Sequence, residues 1–202
     1  MQNMRKRLPL LPVLFFLLAA VSCKKSNSGA SGSVAGTWNL INIVASTRGA
    51  VDEVYGSDDY LDVTYSEYTT TNNSGTIAFS GGVATTSNIT YEASFTALDS
   101  SYLDGQFAGV VTYPLDVTVP ATSGTTKYQQ IGSDSLYFPA GGAFTMGTTG
   151  GTQTTPQGSR FTIHGDTLVI TTSIHQVVNQ NVGGVPATQT TDAVETAYLK
   201  KQ

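Results

Sequence analysis

The sequence predicts an all-β protein, an antiparallel up-and-down β-barrel of about eight to ten strands, with a β-sandwich as the alternative. Several segments after Trp38 alternate apolar and polar residues with a period of two, which is the pattern of half-buried strands. Charged residues make up only 12% of the chain, and there are 10 Tyr, a residue that favours strands. Together these features favour strands over helices throughout.

Residues 1–22 have the pattern of a secretory signal peptide. Arg5, Lys6 and Arg7 precede an apolar run that ends in small residues, which is the usual order of such signals. The run is shorter than the about 20 residues that a membrane-spanning helix needs. We therefore expect this segment to be removed, which would make the mature chain more acidic than the net charge of -4 of the whole sequence.

Cys23 is the only cysteine of the chain, and in an exported protein an unpaired cysteine calls for an explanation. The run Ala20-Val21-Ser22-Cys23 resembles the lipobox of bacterial lipoproteins. The resemblance implies that Cys23 is acylated, for example with palmitate, and becomes the first mature residue. The alternative is an ordinary signal peptide with an incidental cysteine.

Residues 23–34 are rich in Ser and Gly, a composition typical of a flexible tether. A single domain is predicted for residues 35–202. Lys24 and Lys25 stand where surface-displayed lipoproteins of some bacteria carry acidic residues. This difference favours an outer-membrane lipoprotein that faces the periplasm, in the bacterial cell envelope.

The strands can be placed in order along the domain. Residues 36–44 predict the first strand, residues 89–97 show the cleanest alternation, and residues 107–119 form the longest one. Pro114 marks an edge, bend or bulge in that strand. Turns are predicted at 72–75, 80–82, 123–124, 132–134 and 164–167, polar loops at 148–158 and 179–190, one possible helical turn within 51–60, and the last strand at about 193–200.

Gly36-Thr37-Trp38 matches the G-x-W motif that opens the first strand of lipocalins and related calycin barrels. The chain also resembles small lipocalin-like lipoproteins of bacteria in its lipobox, short linker and basic last strand. The resemblance implies that Trp38 closes one end of the barrel. A basic residue of the last strand, Lys200 or the neighbouring Lys201, would pack across its ring by a cation–π contact.

The predicted inward row of the middle strands mixes aromatic with small residues. Alternation alone assigns the inward face here, and it puts Tyr91, Phe95 and Tyr113 on that row together with Ala93 and Gly109. Small residues leave room, and apolar pockets with a few polar groups are the usual sites for small molecules. We expect Tyr91, Phe95 and Tyr113 to bind a small apolar or amphipathic ligand.

An acidic cluster lies between the first two predicted strands, and we expect it to be a solvated loop with Asp62 facing outward. The spacing of the carboxylates fits no EF-hand loop, although calcium is the alternative. His164 and His175, the only histidines, are expected at the surface. We predict no metal and no cofactor. The cluster consists of Asp52, Glu53, Asp58, Asp59 and Asp62.

These observations favour some function classes over others. An acidic chain without a basic stripe is a poor nucleic-acid binder, and the sequence shows no nucleophile or phosphate-binding motif. The sequence therefore predicts a lipid-anchored, non-enzymatic lipocalin-like protein of the envelope that binds a small ligand. A structural, adhesive or glycan-binding β-sandwich lipoprotein is the alternative, and an enzyme is the third.

Overall fold

A computed structural model describes residues 32–142 and 155–202, and it forms a ten-stranded antiparallel sheet. The predicted all-β class and strand number are confirmed. No helix occurs in these two ranges, so the helical turn considered for residues 51–60 does not form. The strands are β1 (Gly36–Tyr55), β2 (Asp58–Thr69), β3 (Thr71–Ser80), β4 (Val83–Leu103), β5 (Gln106–Lys127), β6 (Gln129–Ile131), β7 (Ser135–Phe138), β8 (Gln157–His164), β9 (Thr167–Val182) and β10 (Val185–Lys201).

The order of neighbouring strands is β2-β4-β3-β1-β10-β9-β8-β7-β6, with β5 paired to β4. An additional pairing of β1 with β2 closes a hydrogen-bonded ring through β1, β2, β4 and β3. Thr70 is the point where β2 ends and the chain bends into β3. Its amide donates to the Ile43 carbonyl at 2.9 Å, and its hydroxyl accepts from the Ile43 amide at 2.9 Å. This double contact fixes the bend against β1.

Strands β5 and β6 follow one another with a single residue between them. Strand β5 pairs with β4, whereas β6 pairs with β7. Between them the amide of Tyr128 donates to the Gly82 carbonyl at 2.8 Å. Along β5, Pro114 lies opposite Thr96, and among the described residues β4 is the only strand that β5 pairs with. The edge position is the one where a residue without an amide proton is tolerated.

The core lies at one end of the sheet and is built on alternate positions of the strands. Trp38, Phe79 and Phe138 are each 1% exposed, and they cluster with Ile77 and Leu199. On β4 the predicted alternation is confirmed at Ile89 and in the residues that follow it. Burying an apolar side chain of this size stabilises the fold by about 1.5–3 kcal/mol, so these few side chains dominate the packing energy.

Three polar segments form strands instead of the predicted turns or loops. Residues 72–75 lie within β3, where the pairing with β4 is irregular and Asn72 and Gly75 have positive φ angles. Residues 123–124 lie within β5. The predicted loop 179–190 is the β9–β10 hairpin, which turns at Gly183 and Gly184. Ladder hydrogen bonds to a neighbouring strand can hold a polar segment extended without any apolar pattern.

Several sequence predictions lie outside the described residues. They are the signal peptide, Cys23, residues 23–31 of the tether, and most of the predicted loop 148–158; Gln157 and Gly158 of that loop begin β8. The end of the tether is described and is packed against the domain. Val34 is 0% exposed, and its carbonyl accepts a hydrogen bond from Trp38 Nε1 at 2.8 Å. The packed region therefore includes Val34, which the sequence placed in the tether.

Candidate functional site

The sheet curves around a half-open interior cavity of about 620 Å³. Its wall is formed by residues of β1, β2, β4, β5, β9 and β10. This volume lies within the about 300–1,000 Å³ that is usual for small-molecule sites. We call this space the interior cavity; its described lining residues are Thr47, Gly49, Val51, Glu53, Asp62, Thr64, Ser66, Tyr68, Tyr91, Ala93, Phe95, Ala97, Asp99, Leu115, Val117, Gln180, Gln189 and Thr191.

Small residues on the inward faces leave this volume unfilled. On β4, Ala93 and Ala97 alternate with the aromatic residues Tyr91 and Phe95, and all four line the cavity. Opposite them Gly49 of β1 also lines it, and a Cβ added there would meet no atom within 4 Å. Because side chains on one face of a strand recur every second residue, a row of large and small residues produces both a wall and a space.

Three aromatic side chains, Tyr68, Tyr91 and Phe95, form part of the cavity wall, and we call them the aromatic wall. The rings of Tyr68 and Phe95 are stacked, with centroids 4.8 Å apart and an interplanar angle of 23°. Burial, followed by the nearby Glu195 carboxylate, raises the pKa of Tyr68 to about 12. Burial also raises the pKa of Tyr91, with Tyr68 and Glu195 adding to the effect. Both hydroxyls therefore stay protonated and can donate a hydrogen bond to a ligand.

Glu195 of β10 is an acidic residue whose side chain is buried in the interior. It is 4% exposed, and among the described residues its Oε2 has no hydrogen-bond partner. It shares the inward row of β10 with Thr191, which lines the cavity, and its charge raises the pKa of Tyr68 and Tyr91. Burial raises the pKa of Glu195 from its ordinary value of 4.5 to about 8. Glu195 itself is not among the lining residues; it lies further along this row than Thr191, near Tyr68 and Tyr91, which do line the cavity.

The neighbours of Glu195 are small or polar. It lies opposite Ala45 on β1 and opposite Thr172 on β9. The buried hydroxyls of Thr172 and Ser159 are 2.7 Å apart and hydrogen-bond to each other. Gln157, further along β8, is also buried, and its Oε1 has no partner in the described part of the chain. The interior thus combines an aromatic wall with unsatisfied polar atoms.

Of the three residues predicted to bind the ligand, the structure brings two together. Tyr91 and Phe95 line the cavity, whereas Tyr113 is 36% exposed and does not. Tyr113 of β5 lies opposite Ala97 of β4, one inward position along from Leu115. Leu115 provides the apolar contact in its place.

Sequence reasoning missed Glu195 and misplaced Asp62. Alternation of Asp62 with Leu61 and Val63 predicted an outward position, but Asp62 is exposed at the mouth of the cavity and lines it. On the curved part of β2 the inward row is the polar one, because the cavity and not a packed core lies beneath it. The alternation of Ala193, Glu195 and Ala197 could have revealed the buried carboxyl.

Trp38 lies at the other end of the interior. Its burial, predicted from its place in the first strand, is confirmed by its 1% exposure. The basic residue across its ring is Lys201, whose Nζ is 5.7 Å from the ring centroid. Lys200, the first choice from sequence, instead points outward, 3.6 Å from Asp166. The reason is register, because Lys201 is the residue of β10 that pairs with Trp38.

The two histidines lie at the surface, as predicted. His164 is exposed beside the β8–β9 turn at Gly165. His175 is also exposed, and its Nδ1 is 2.6 Å from Asp192 Oδ1. Asp192 also forms an ion pair with Arg48 at 3.6 Å. These groups form a cluster of polar contacts on the outer face.

The acidic cluster occupies paired strands rather than a loop. Asp58 and Asp59 begin β2, opposite the end of β1. The pKa of Asp59 is raised, chiefly by the charge of Asp52 and further by Asp104, so these carboxylates repel one another. Within residues 32–142 and 155–202, no group of three or more His, Cys, Asp or Glu side chains is arranged to hold a metal ion.

No protein-family model, curated protein or solved structure matches this chain. In the two described ranges, no helix has the length and apolar character needed to cross a membrane. The functional argument therefore depends on the chain's own residues. The arrangement described above can bind an apolar group against Tyr68, Tyr91 and Phe95 and a polar group at the other lining side chains, with the buried Glu195 nearby.

Proposed function

We propose that this protein is a lipid-anchored, lipocalin-like protein of the bacterial cell envelope that binds one small apolar or amphipathic ligand in its interior cavity. The observation that carries the proposal is the cavity of about 620 Å³, whose lining combines aromatic and small apolar residues with Ser, Thr, Gln, Asp and Glu side chains. Most of the lining surface is apolar, as is usual for small-molecule sites, and the polar side chains suit an amphipathic ligand. A filled interior would instead have the close packing of ordinary protein cores.

A barrel-like closure of the sheet is part of this proposal. Strand β5 is continued by β6 after a single residue, so one extended segment pairs first with β4 and then with β7. This continuity links the two ends of the strand order. Trp38 beneath Lys201 at the core end also agrees with the barrel closure implied by the G-x-W resemblance. Closure removes exposed sheet edges, which are sites of aggregation.

The anchor is proposed from the sequence pattern. Acylation of Cys23 would hold the domain at a membrane through the Ser- and Gly-rich segment that follows. A ligand-binding domain held in this way would act on molecules present at the membrane surface or in the periplasm. The proposal includes no catalytic step.

The cavity can be tested with the uncharged dye Nile red and one cavity-filling variant. Gly49→Phe adds a ring at a position where a Cβ meets no atom within 4 Å. Gly158→Phe is the matched control, because a Cβ at this exposed position on β8 also meets nothing within 4 Å. We expect saturable Nile red fluorescence with the wild type and Gly158→Phe, and its loss with Gly49→Phe.

The melting temperature of each variant, measured without dye, separates a filled cavity from a misfolded protein. Equal dye binding by all three proteins would show that Nile red binds elsewhere on the surface. Absence of saturable binding by the wild type would contradict the proposed function itself.

A structural or adhesive role is the second candidate, and edge strand β5 favours it. Phe107, Val110 and Val111 are 61%, 53% and 60% exposed on this strand. Exposed apolar residues on an edge strand favour pairing with another chain. Val111→Lys would lower self-association in sedimentation experiments if this surface mediates contacts, and would leave Nile red binding unchanged.

A further inference from the structure

We infer that the ligand of the interior cavity is a cation, a small amphiphile whose protonated amine pairs with the carboxylate of Glu195 while its apolar part lies against Tyr68, Tyr91 and Phe95. This inference rests on the proposed function, since it specifies what the cavity binds. It differs from the general expectation of an apolar or amphipathic ligand, because it excludes anionic amphiphiles such as fatty acids.

The charge of the lining residues is the first observation. Glu53, Asp62 and Asp99 line the cavity from β1, β2 and β4. The described lining includes no Lys, Arg or His. Lining charges of one sign attract ligands of the opposite sign and repel those of the same sign. A carboxylate head group would therefore enter against the three acidic side chains of Glu53, Asp62 and Asp99, with no cation among the described lining residues to pair with.

The second and independent observation is the state of Glu195. Its side chain is 4% exposed, and Oε2 has no partner among the residues that the structure describes. A buried polar atom without a hydrogen bond costs free energy, and such atoms occur where a ligand or water completes the site. An ammonium donates up to three hydrogen bonds and carries the opposite charge. It supplies what the carboxyl group lacks.

The groups that face Glu195 do not supply a positive charge. Tyr68 on β2 and Tyr91 on β4 are neutral, since burial raises the pKa of each above its ordinary value. On the flanking strands Glu195 lies opposite Ala45 and Thr172. The rings of Tyr68 and Tyr91 add a favourable surface for a cation, because the face of an aromatic ring attracts positive charge.

Because the carboxyl group of Glu195 must lose its proton to pair with an ammonium ion, the affinity for an amine should depend on pH. Because burial raises the pKa of Glu195 to about 8, the free protein holds a neutral carboxyl group at neutral pH. Binding of an ammonium ion ionises that group, and the proton leaves to the buffer. Between about pH 6 and pH 8 the affinity for an amine therefore rises with pH, by at most about tenfold per pH unit.

Octylamine, octanol and octanoate are matched probes that share a chain and differ only in the charge of the head group. Octylamine stays protonated below about pH 9, like a lysine side chain. Calorimetric titration of the purified protein measures each affinity, and repetition in buffers of different ionisation enthalpy measures the protons released. Glu195→Gln removes the charge with little change in shape. Glu67→Gln, on the exposed outer face of β2, is the matched control.

We expect octylamine to bind about tenfold or more tightly than octanol, and octanoate more weakly than both. Octylamine binding to the wild type should release about one proton near pH 7. Glu195→Gln should abolish the proton release and weaken the preference for octylamine to the part that Glu53, Asp62 and Asp99 supply, while octanol affinity stays within about twofold. Glu67→Gln should behave as the wild type in every titration.

The results separate this inference from the proposed function. Binding of octanol with equal or weaker binding of octylamine would refute the cation while leaving the cavity as a binding site. An amine preference and a proton release that are both unchanged in Glu195→Gln would also overturn the assignment to this residue. If none of the three probes and no Nile red binds, the proposed function fails as well.

Discussion

Replacement of Glu195 by glutamine is expected to remove a large part of the pH dependence of stability of this protein. Burial raises the pKa of Glu195 in the folded state from its ordinary value of 4.5 to about 8. The folded protein therefore holds a proton that the unfolded chain has released over this pH range. Stability is highest below about pH 4.5 and falls as pH rises towards about pH 8, since the folded state binds more protons there.

The size of the effect follows from the pKa difference. Each pH unit in this window is worth at most about 1.4 kcal/mol for one proton. Over the whole window the loss of stability attributable to Glu195 is on the order of 4 kcal/mol. This is a large fraction of the about 5–15 kcal/mol by which proteins are usually stable. The amide of a glutamine has no proton to lose, so the variant lacks this slope.

Urea unfolding, followed by the fluorescence of the single, buried Trp38, measures the free energy of unfolding. We would compare the wild type, Glu195→Gln and Glu67→Gln at about pH 5, 6, 7 and 8. We expect Glu195→Gln to match the wild type near pH 5 and to exceed it in stability near pH 8. Glu67→Gln should keep the wild-type slope. Parallel wild-type and Glu195→Gln curves across this range would refute a buried, neutral Glu195.

Three further predictions concern the anchor and the Trp38 end. Cys23→Ala should move the protein from the membrane to the soluble fraction of cells, and an unchanged membrane fraction would contradict acylation. Trp38→Ala should lower the free energy of unfolding by about 3–5 kcal/mol, because it empties a fully buried site. In the wild type, emission like that of free tryptophan, with easy acrylamide quenching, would argue against that burial. Lys201→Met should lower the free energy of unfolding by about 0.5–1 kcal/mol through the lost cation–π contact. Lys200→Met, which removes only an exposed ion pair, should have a smaller effect. Equal effects of the two substitutions would show that the contact with Trp38 contributes nothing.

The sequence alone was sufficient to predict the features that depend on a pattern within a single segment of the chain. The alternation along residues 89–97 predicted β4 and its inward row, including Tyr91 and Phe95. The position of Trp38 at the start of the first apolar strand predicted its burial. Both predictions depend on the two-residue period of a strand, which each segment carries within itself. The prediction of acylation at Cys23 has the same local character.

Polar strands were not predictable in this way. The hairpin over residues 179–190 and the irregular strand at 72–75 carry turn-forming residues, and only hydrogen bonds to neighbouring strands hold them extended. Such bonds join residues far apart in sequence. No local pattern therefore reports them.

The tertiary structure decided which faces meet and what lies between them. Register placed Lys201 and not Lys200 across from Trp38. It also set Glu195 beneath the aromatic wall, where burial keeps its carboxyl neutral. The sequence of a strand shows which residues share a face, but it does not show what surrounds either face. Those surroundings come from pairing with distant strands, and at Glu195 they bury an acidic side chain and raise its pKa.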